Sequence, residues 1–301
     1  MPAQETVESP LVSIVIPCYN HAQFVQESIQ SVIDQDYENI ELIIIDDGSK
    51  DNSVEVIQKM IPACEERFVR FEFRYRPNKG LCATLNEALE WCEGEYFSPL
   101  ASDDIALSHK TSFLVNKITE NCCAVVFGLS QQFGDPDKRY FKEIKGCTHN
   151  FNDLMLQINI PDAPAAMLRK TSVLKVGGYA EDVKLEDRYM WLSLTASNEK
   201  LITFPEIVVL YRDHKSNTIK NVRKMHESRL EVLKKFSNSS VYDKSIKKAY
   251  ITCSKELADT ESIVPIMMVL KSKNLNGRGL LVVLKALTPK YILALKKSIF
   301  N

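Results

Sequence analysis

The chain has 301 residues, of which 45% are hydrophobic and 26% are charged, and its formal net charge is −1 at pH 7. This composition indicates an ordinary globular protein, and the near-neutral charge gives no general attraction to nucleic acid. The eight cysteines contain no Cys-x-x-Cys pair, so reduced thiols and a cytoplasmic location are expected instead of a disulfide framework. The longest apolar runs, such as 263–270, are shorter than the roughly 20 residues that span a bilayer.

Strand and helix patterns alternate over the first 130 residues. The strand-like runs are 11–16, 41–45, 71–75, 95–100 and 124–127, and helical stripes of apolar residues lie between them. Strands that alternate with helices of this length predict an α/β fold with a doubly wound, mostly parallel sheet.

After residue 130 the pattern loosens, although a helix over 186–197 and a strand over 207–212 are still expected. Past residue 220 the chain looks helical throughout. We therefore predict a catalytic domain over residues 1–220 and a helical C-terminal extension over residues 221–301.

The end of the chain has a distinctive charge pattern. Residues 262–301 contain no aspartate or glutamate but carry seven basic residues among leucines and valines. A basic amphipathic helix can lie on an anionic membrane surface. The alternative is a helical hairpin that packs on the catalytic domain or on a second subunit. Packing on a second subunit would make the protein a homo-oligomer.

Acidic and polar residues follow three of these strand-like runs. Residues 17–20, 46–49 and 102–104 come directly after the first, second and fourth runs. In open α/β sheets, ligands bind at the carboxyl ends of the strands. Carboxylates gathered there without a cysteine or histidine cluster favour a hard divalent cation and its phosphate ligand.

At this point the chain resembles the family 2 glycosyltransferases, which are inverting enzymes with the GT-A fold. The resemblance covers residues 11–220, and the motifs occur in the family's order and spacing. They are Val12 to Asn20, Ile45 to Ser49, Asn78 to Gly80, Gly94 to Tyr96, Ser102 to Asp104, Gly177 to Tyr179, Leu185 to Asp187 and Tyr211 to His214.

The resemblance implies a nucleotide-diphosphate-sugar donor. Asp47 is suited to accept the imide N–H of uracil, because an ionised carboxylate only accepts hydrogen bonds. Tyr19 would offer an aromatic face to the base, and Pro17 would shape the turn. Lys79 either approaches the nucleotide or is simply solvated, and Arg212 either contacts the phosphates or packs in its loop.

The resemblance also implies a metal site that takes Mn²⁺ or Mg²⁺ and stabilises the diphosphate leaving group. Asp104 is the first choice for direct coordination. Asp103 would reach either the ribose hydroxyls or the metal through water, and His214 is a further candidate ligand. Relatives often have another aspartate where Ala101 stands here, and its loss would weaken metal or ribose contacts.

Asp187 and Glu186 resemble the acidic pair that supplies the family's catalytic base. An inverting transfer is an in-line displacement, so a carboxylate must remove the acceptor's proton on the face opposite the leaving nucleotide. Asp187 is the expected base, with Glu186 as its alternative. Both acids also open a predicted helix, where its dipole favours them without any catalytic role.

The expected activity is transfer of a hexose or N-acetylhexosamine from a UDP-sugar to a sugar hydroxyl. A polyprenyl-diphosphate-linked acceptor, used in bacterial surface polysaccharide assembly, would suit the basic C-terminus at the inner face of the membrane. Two alternatives stay open. The first is a non-catalytic nucleotide-sugar-binding protein, which would be consistent with Ala101 in place of the aspartate that relatives often have. A nucleotidyltransferase would need a glycine-rich basic loop after the first strand, where residues 17–21 read Pro-Cys-Tyr-Asn-His.

Overall fold

The structure is a computed structural model that describes residues 9–134, 146–258, 261, 263–272 and 277–287. The chain divides into two compact units. The first is Met1–Phe151 with Ile160–His214, and the second is Asn152–Asn159 with Lys215–Asn301. The domain boundary expected after residue 220 stays a prediction.

The first unit is built on one mixed sheet. Its strands are β1 (Val12–Cys18), β2 (Ile40–Asp46), β3 (Arg70–Tyr75), β4 (Tyr96–Pro99), β5 (Ile105–Ala106), β6 (Val125–Phe133), β7 (Cys147–His149), β8 (Ala166–Arg169) and β9 (Leu201–Arg212). The helices of this unit are α1 (Val25–Ile33), α2 (Ser53–Arg67), α3 (Leu81–Trp91), α4 (Lys110–Asn121), α6 (Lys170–Lys175) and α7 (Glu186–Ala196), whereas α5 (Phe151–Met155) belongs to the second unit from Asn152 onward.

The sheet order is β3-β2-β1-β4-β8-β6-β9-β5, and β7 pairs with β9. The first four strands are parallel, as the alternation predicts. β8 is antiparallel to both β4 and β6, whereas β6 and β9 are parallel. The carboxyl ends of β1, β2 and β4 therefore meet at one edge, where a ligand site is expected.

The centre of the sheet is fully buried. Every residue of β2 is buried, and Ile40 and Ile44 pack with apolar residues of β1 and with α1 through its residues Val25, Ile29 and Val32. Parallel strands covered on both faces have continuous apolar runs, which is why β1 and β2 were recognisable in the sequence.

A buried carboxylate ties the strands together at the opposite edge. Glu41 is fully buried, and its Oε1 accepts hydrogen bonds from Ser13 Oγ at 2.6 Å and from the amides of Glu93 and Gly94 at 2.6 and 2.9 Å. Its Oε2 lies 3.0 Å from Arg70 Nη1. This one side chain links β1, β2, β3 and the turn before β4.

The second unit is helical. Its main helices are α8 (Val222–Lys235), α9 (Tyr242–Leu257), α10 (Ile263–Lys271) and α11 (Gly277–Leu287). A small apolar core joins α9, α10 and α11 through Ile251, Val269, Val282 and Ala286. Within the described residues, no helix combines the length and apolar character needed to cross a bilayer. Residues 273–276 and 288–301, with part of the basic tail, lie outside the described residues.

We predict that Glu41→Ala lowers the free energy of unfolding by about 3 kcal/mol, because it leaves Arg70 and three donors without their buried acceptor. Urea unfolding followed by circular dichroism measures this change. The matched control is Glu93→Ala, since the exposed Glu93 carboxylate lies 3.4 Å from the same arginine. That variant should stay within about 0.5 kcal/mol of the unmodified chain. Equal losses in the two variants would contradict the role given to Glu41.

Candidate active site at the carboxyl ends of the strands

Asp47 organises the first part of the site, directly after β2. Its carboxylate accepts hydrogen bonds from the amides of Lys79 and Gly80 at 2.8 and 2.9 Å and forms an ion pair with Arg76. Only 5% of Asp47 is exposed. Arg76 is held in turn by Glu87 and by Thr84 on α3. The carboxylate thus anchors the loop that enters α3.

Gly48 permits this close approach of two loops. Its φ is +77°, and a Cβ at this position would lie 2.6 Å from the amide nitrogen of Asn78. A side chain here would be strained and would collide with the backbone. Glycine is therefore required after Asp47 both for the turn and for the close packing of the two loops.

Asp103 stands between two imidazoles. His214 Nε2 lies 2.9 Å from Asp103 Oδ2, and His21 Nδ1 lies 3.9 Å from Asp103 Oδ1. One nitrogen of each histidine and one oxygen of Asp103 all lie within 4.8 Å of one another. A carboxylate and two imidazoles form a donor set that suits Mn²⁺ and other first-row transition metals, while Mg²⁺ prefers oxygen ligands.

The backbone around His21 is held by the loop that follows β2. The amides of Asn20 and His21 donate to Ser49 Oγ and Ser53 Oγ at 2.8 and 3.0 Å. The His21 ring also lies 2.8 Å from Ser102 Oγ through Nδ1. Burial lowers the pKa of His21, which favours the neutral imidazole that a metal requires.

Arg212 connects the end of β9 to the acidic loop. Its backbone amide donates to Asp104 Oδ1 at 2.9 Å, and its Nε donates to the carbonyl oxygen of Asp103 at 2.8 Å. Its guanidinium also pairs with Glu27 at 2.6 Å and lies over the rings of Phe24 and Phe133. In this arrangement Arg212 is a positioning residue for the loop, and its expected contact with phosphates stays a prediction.

Asp104 lies outside the histidine group. Only 1% of it is exposed, and its Oδ2 has no hydrogen-bond partner among the described residues. Burial, together with the charge of Asp103, raises the pKa of Asp104 to about 7. Asp103, and not Asp104, lies in the group of possible metal ligands with His21 and His214 among the described residues, and the expected direct coordination by Asp104 stays a prediction.

Glu186 and Asp187 form the second acidic group, at the start of α7. Asp187 Oδ1 accepts the amide of Arg188 at 2.6 Å. Burial raises the pKa of both carboxyl groups, and the charge of Asp187 raises that of Glu186 further, to about 8. Such a pair titrates together, so it can hold a proton near neutral pH.

Helix α3 ties this acidic pair to the Asp47 region. Asn86 on α3 donates to the carbonyl of Tyr179 at 2.8 Å and accepts from the Tyr179 amide at 2.8 Å. One turn earlier, the Cys82 thiol donates to the carbonyl of Val183. The segment before α7 is therefore docked on the helix whose first residues follow Gly80.

The other sequence-predicted residues have varied surroundings. Tyr19 is 44% exposed, Pro17 is half-buried and the Lys79 side chain is exposed. Trp191, on α7, is buried in the core against Phe127, with ring centroids 4.8 Å apart.

Two residues of this site were missed at the level of sequence. His21 and Arg76 carry no motif of their own, and only the pairing of loops distant in the chain brings them to Asp103 and Asp47. The only sequence signal for His21 was its position three residues after the end of β1, at the edge of the sheet where a ligand site is expected.

Residues 13–177, more than half of the chain, match glycosyl transferase family 2. The chain belongs to this family. It is 34% identical over 151 residues to an uncharacterised glycosyltransferase of Rickettsia typhi and 30% identical over 150 residues to the glycosyltransferase GlyG of Streptococcus pneumoniae. These matches cover 46% and 50% of this chain, and the chain spans only 45% and 48% of those two relatives.

Solved structures establish the fold as GT-A. TarS 1–349 of S. aureus, determined in complex with UDP-GlcNAc, superposes with a TM-score of 0.62 at 15% identity, over 92% of this chain and 79% of that chain. The mannosyltransferase PcManGT of Pyrobaculum calidifontis, in complex with GDP-Man and Mn²⁺, gives a TM-score of 0.62 at 14% identity, over 93% and 85% of the two chains.

We predict that Asp103→Asn weakens Mn²⁺ binding at least about tenfold, because it removes the only carboxylate in the group of donors described above. Asp104→Asn is the matched control, since its amide oxygen can still accept from Arg212, and Mn²⁺ affinity should change little. Electron paramagnetic resonance of free Mn²⁺ during titration measures both affinities. Loss of binding in the Asp104 variant alone would reinstate Asp104 as the ligand.

Proposed function

We propose that the protein is a metal-dependent inverting glycosyltransferase that moves a hexose or N-acetylhexosamine from a UDP-sugar to a sugar hydroxyl. The observation that carries the proposal is the Asp103 carboxylate between His21 and His214, at the same sheet edge as Asp47, in a chain of family 2. A cation site beside a nucleotide-binding edge is what a diphosphate leaving group requires.

The donor would lie along the carboxyl ends of β1, β2 and β4. Asp47 and Tyr19 would contact the uracil ring of the donor, Pro17 would shape the turn, and Lys79 would lie near the nucleotide. Although Asp47 already accepts two backbone amides, each carboxylate oxygen has more than one lone pair and can accept the imide N–H as well. TarS, with its bound UDP-GlcNAc, supports a UDP-sugar for this fold.

The residues present fit a divalent cation. Asp103, His214 and His21 would hold it, and their donor set favours Mn²⁺ over Mg²⁺. The Mn²⁺ in PcManGT supports the same choice. When bound, the ion would neutralise charge on the departing diphosphate as a Lewis acid. Arg212 would keep Asp103 in place through its contact with the loop carbonyl.

Asp187 would act as the general base. A carboxylate with a raised pKa is a stronger base than an ordinary one, which suits removal of a hydroxyl proton at neutral pH. Attack opposite the leaving nucleotide would invert the anomeric carbon, so an α-linked donor would give a β-linked product. Glu186 would raise the basicity of its neighbour and is the alternative base.

The acceptor would be a lipid-linked saccharide at the inner face of the cell membrane, in surface polysaccharide assembly. The acid-free segment 262–301 supports this, and Leu280, Leu281 and Leu284 on α11 are exposed. Co-sedimentation with vesicles tests it: binding to phosphatidylglycerol vesicles that 0.5 M salt reverses is expected. A salt-insensitive dimer without vesicle binding would favour packing on a second subunit.

We predict that Asp187→Asn leaves UDP-sugar binding nearly unchanged while transfer falls by about 10² to 10⁴, the usual contribution of a general base. Glu186→Gln is the matched control and should retain most of the transfer rate. Calorimetric titration of UDP and a radiolabelled transfer assay give the two readouts.

The reverse pattern, with Glu186→Gln inactive and Asp187→Asn active, would assign the base to Glu186. Metal-dependent donor binding without transfer or hydrolysis by the unmodified chain would favour the non-catalytic binding protein.

We also predict an alkaline-shifted pH profile. The base works only when ionised, and burial has raised the pKa of Asp187, so kcat/KM should still rise with pH above the range in which an ordinary aspartate has ionised. An ordinary carboxylate would already be fully active above about pH 5.5. Glu186→Gln removes a like charge beside Asp187 and should move the rising part of the pH profile to lower pH. An unchanged pH profile in that variant would contradict an electrostatic interaction between the two carboxyl groups.

A further inference from the structure

The first unit contains a buried cation that the proposed mechanism does not use. Lys110 is the first residue of α4 and is only 3% exposed. Lysine is almost never buried to this extent unless its charge has a partner. The position is also unfavourable electrostatically, because the amino end of a helix is partially positive and the first turn of α4 contains no acid. Two local rules are broken at one residue, which is expected at a functional site.

The ammonium group of Lys110 faces two segments that are distant from each other in the chain. Its Nζ donates to the carbonyl oxygen of Pro164 at 2.9 Å. Burial lowers the pKa of Lys110 to about 8, and the charge of Asp104 in the acidic loop opposes this shift. The charge of Lys110 in turn favours the ionised form of Asp104. One buried cation therefore acts on both the acidic loop and the segment that contains Pro164.

Pro164 lies at the same sheet edge as the acidic loop. It belongs to a short 3₁₀ turn, Ala163–Ala165, directly before β8. Because β8 is antiparallel to β4, this turn lies at the carboxyl end of β4. Ser98 Oγ on β4 donates to the carbonyl oxygen of Ala166 at 2.9 Å, which fixes the start of β8 there. The 163–165 turn is therefore a neighbour of the loop that follows β4.

The strand order gives the 163–165 turn a place relative to the donor. The strands lie in the order β2, β1, β4 and β8 along the sheet. In the proposed function, the base lies at Asp47 after β2, and the diphosphate lies at Asp103 after β4. The next position along the same edge is the 163–165 turn. The transferred sugar and the acceptor hydroxyl would therefore lie beside this turn.

We propose that Lys110 is a positioning residue that holds the 163–165 turn against the acidic loop, and that this turn forms the wall beside the transferred sugar. The second part rests on the proposed function, which places the donor. Lys110 is too buried to contact a substrate, so it acts through the turn and the loop. Asp162 holds the same turn to β6, since its Oδ2 accepts the amide of Ser130 at 3.0 Å.

Lys110→Met tests the proposal, because methionine keeps an unbranched apolar stem and removes both the charge and the donor. Hydrogen exchange followed by mass spectrometry should be at least about tenfold faster in the peptide 163–168. The kcat for transfer should fall about 10- to 100-fold, since small displacements of the reacting groups are costly. The KM for the UDP-sugar should stay within about threefold, because the base and diphosphate contacts remain.

Lys117→Met is the matched control. Lys117 is on the same helix and pairs with Glu120 at 2.9 Å near the surface. Its loss should change neither the exchange of the peptide 163–168 nor the kinetic constants. A parallel rise in KM in Lys110→Met would indicate general loosening of the site and would overturn the positioning role, as would unchanged exchange in the turn.

Asp162→Ala releases the same turn from β6 and decides the matter if Lys110→Met does not fold. It should lower kcat with little change in KM, and the double variant should lose little more than either single variant, because both residues hold one element. Losses that multiply across the two variants would contradict the proposal. An unmodified chain without transfer activity would count against the proposed function instead, and exchange in the turn would still decide the role of Lys110.

Discussion

The site depends on one connection, in which the end of β9 is fixed to the acidic loop after β4. Arg212 makes it with its own amide on Asp104 and its side chain on the Asp103 carbonyl. These residues are more than one hundred positions apart in the chain, and two residues after Arg212 comes His214. Because the loop and the strand end are joined in this way, His214 meets the Asp103 carboxylate. Without this link the imidazole and the carboxylate would sit on independent loops, and the donor set would not be preorganised.

Much of the fold was predictable because its first half obeys local rules. Continuous apolar runs and helical stripes alternate there, so the parallel order of β1, β2, β3 and β4 followed from sequence. The second half was less predictable, because β8 enters the sheet antiparallel and β9 pairs with β6, and such pairings depend on contacts between distant segments. Pro62 lies inside α2, which continues to Arg67, where four backbone carbonyls accept from the arginine.

The candidate site also contains residues that the local sequence predicts and residues that only contacts between distant segments bring together. Asp47, Asp103 and Asp187 stood out in the sequence, since each follows a strand end or opens a helix. Of their partners, His214 also stood out, but His21 and Arg76 did not. His21 reaches Asp103 through a turn held by the loop after β2, and Arg76 reaches Asp47 across two loops, so neither contact has a sequence spacing that predicts it. The difference between the two adjacent carboxylates was equally beyond the sequence, because it depends on Asp104 accepting the backbone amide of Arg212 at the end of β9 while Asp103 contacts His214.

In the proposed function, one ion would contact both the histidine group and the donor's diphosphate. Pulsed electron paramagnetic resonance of Mn²⁺ bound to the protein with UDP tests this arrangement. We expect couplings to ¹⁴N from the imidazoles of His21 and His214 and to ³¹P from the diphosphate in the same spectrum. A spectrum with ³¹P coupling but no ¹⁴N coupling would place the ion away from the histidines and would rule this arrangement out.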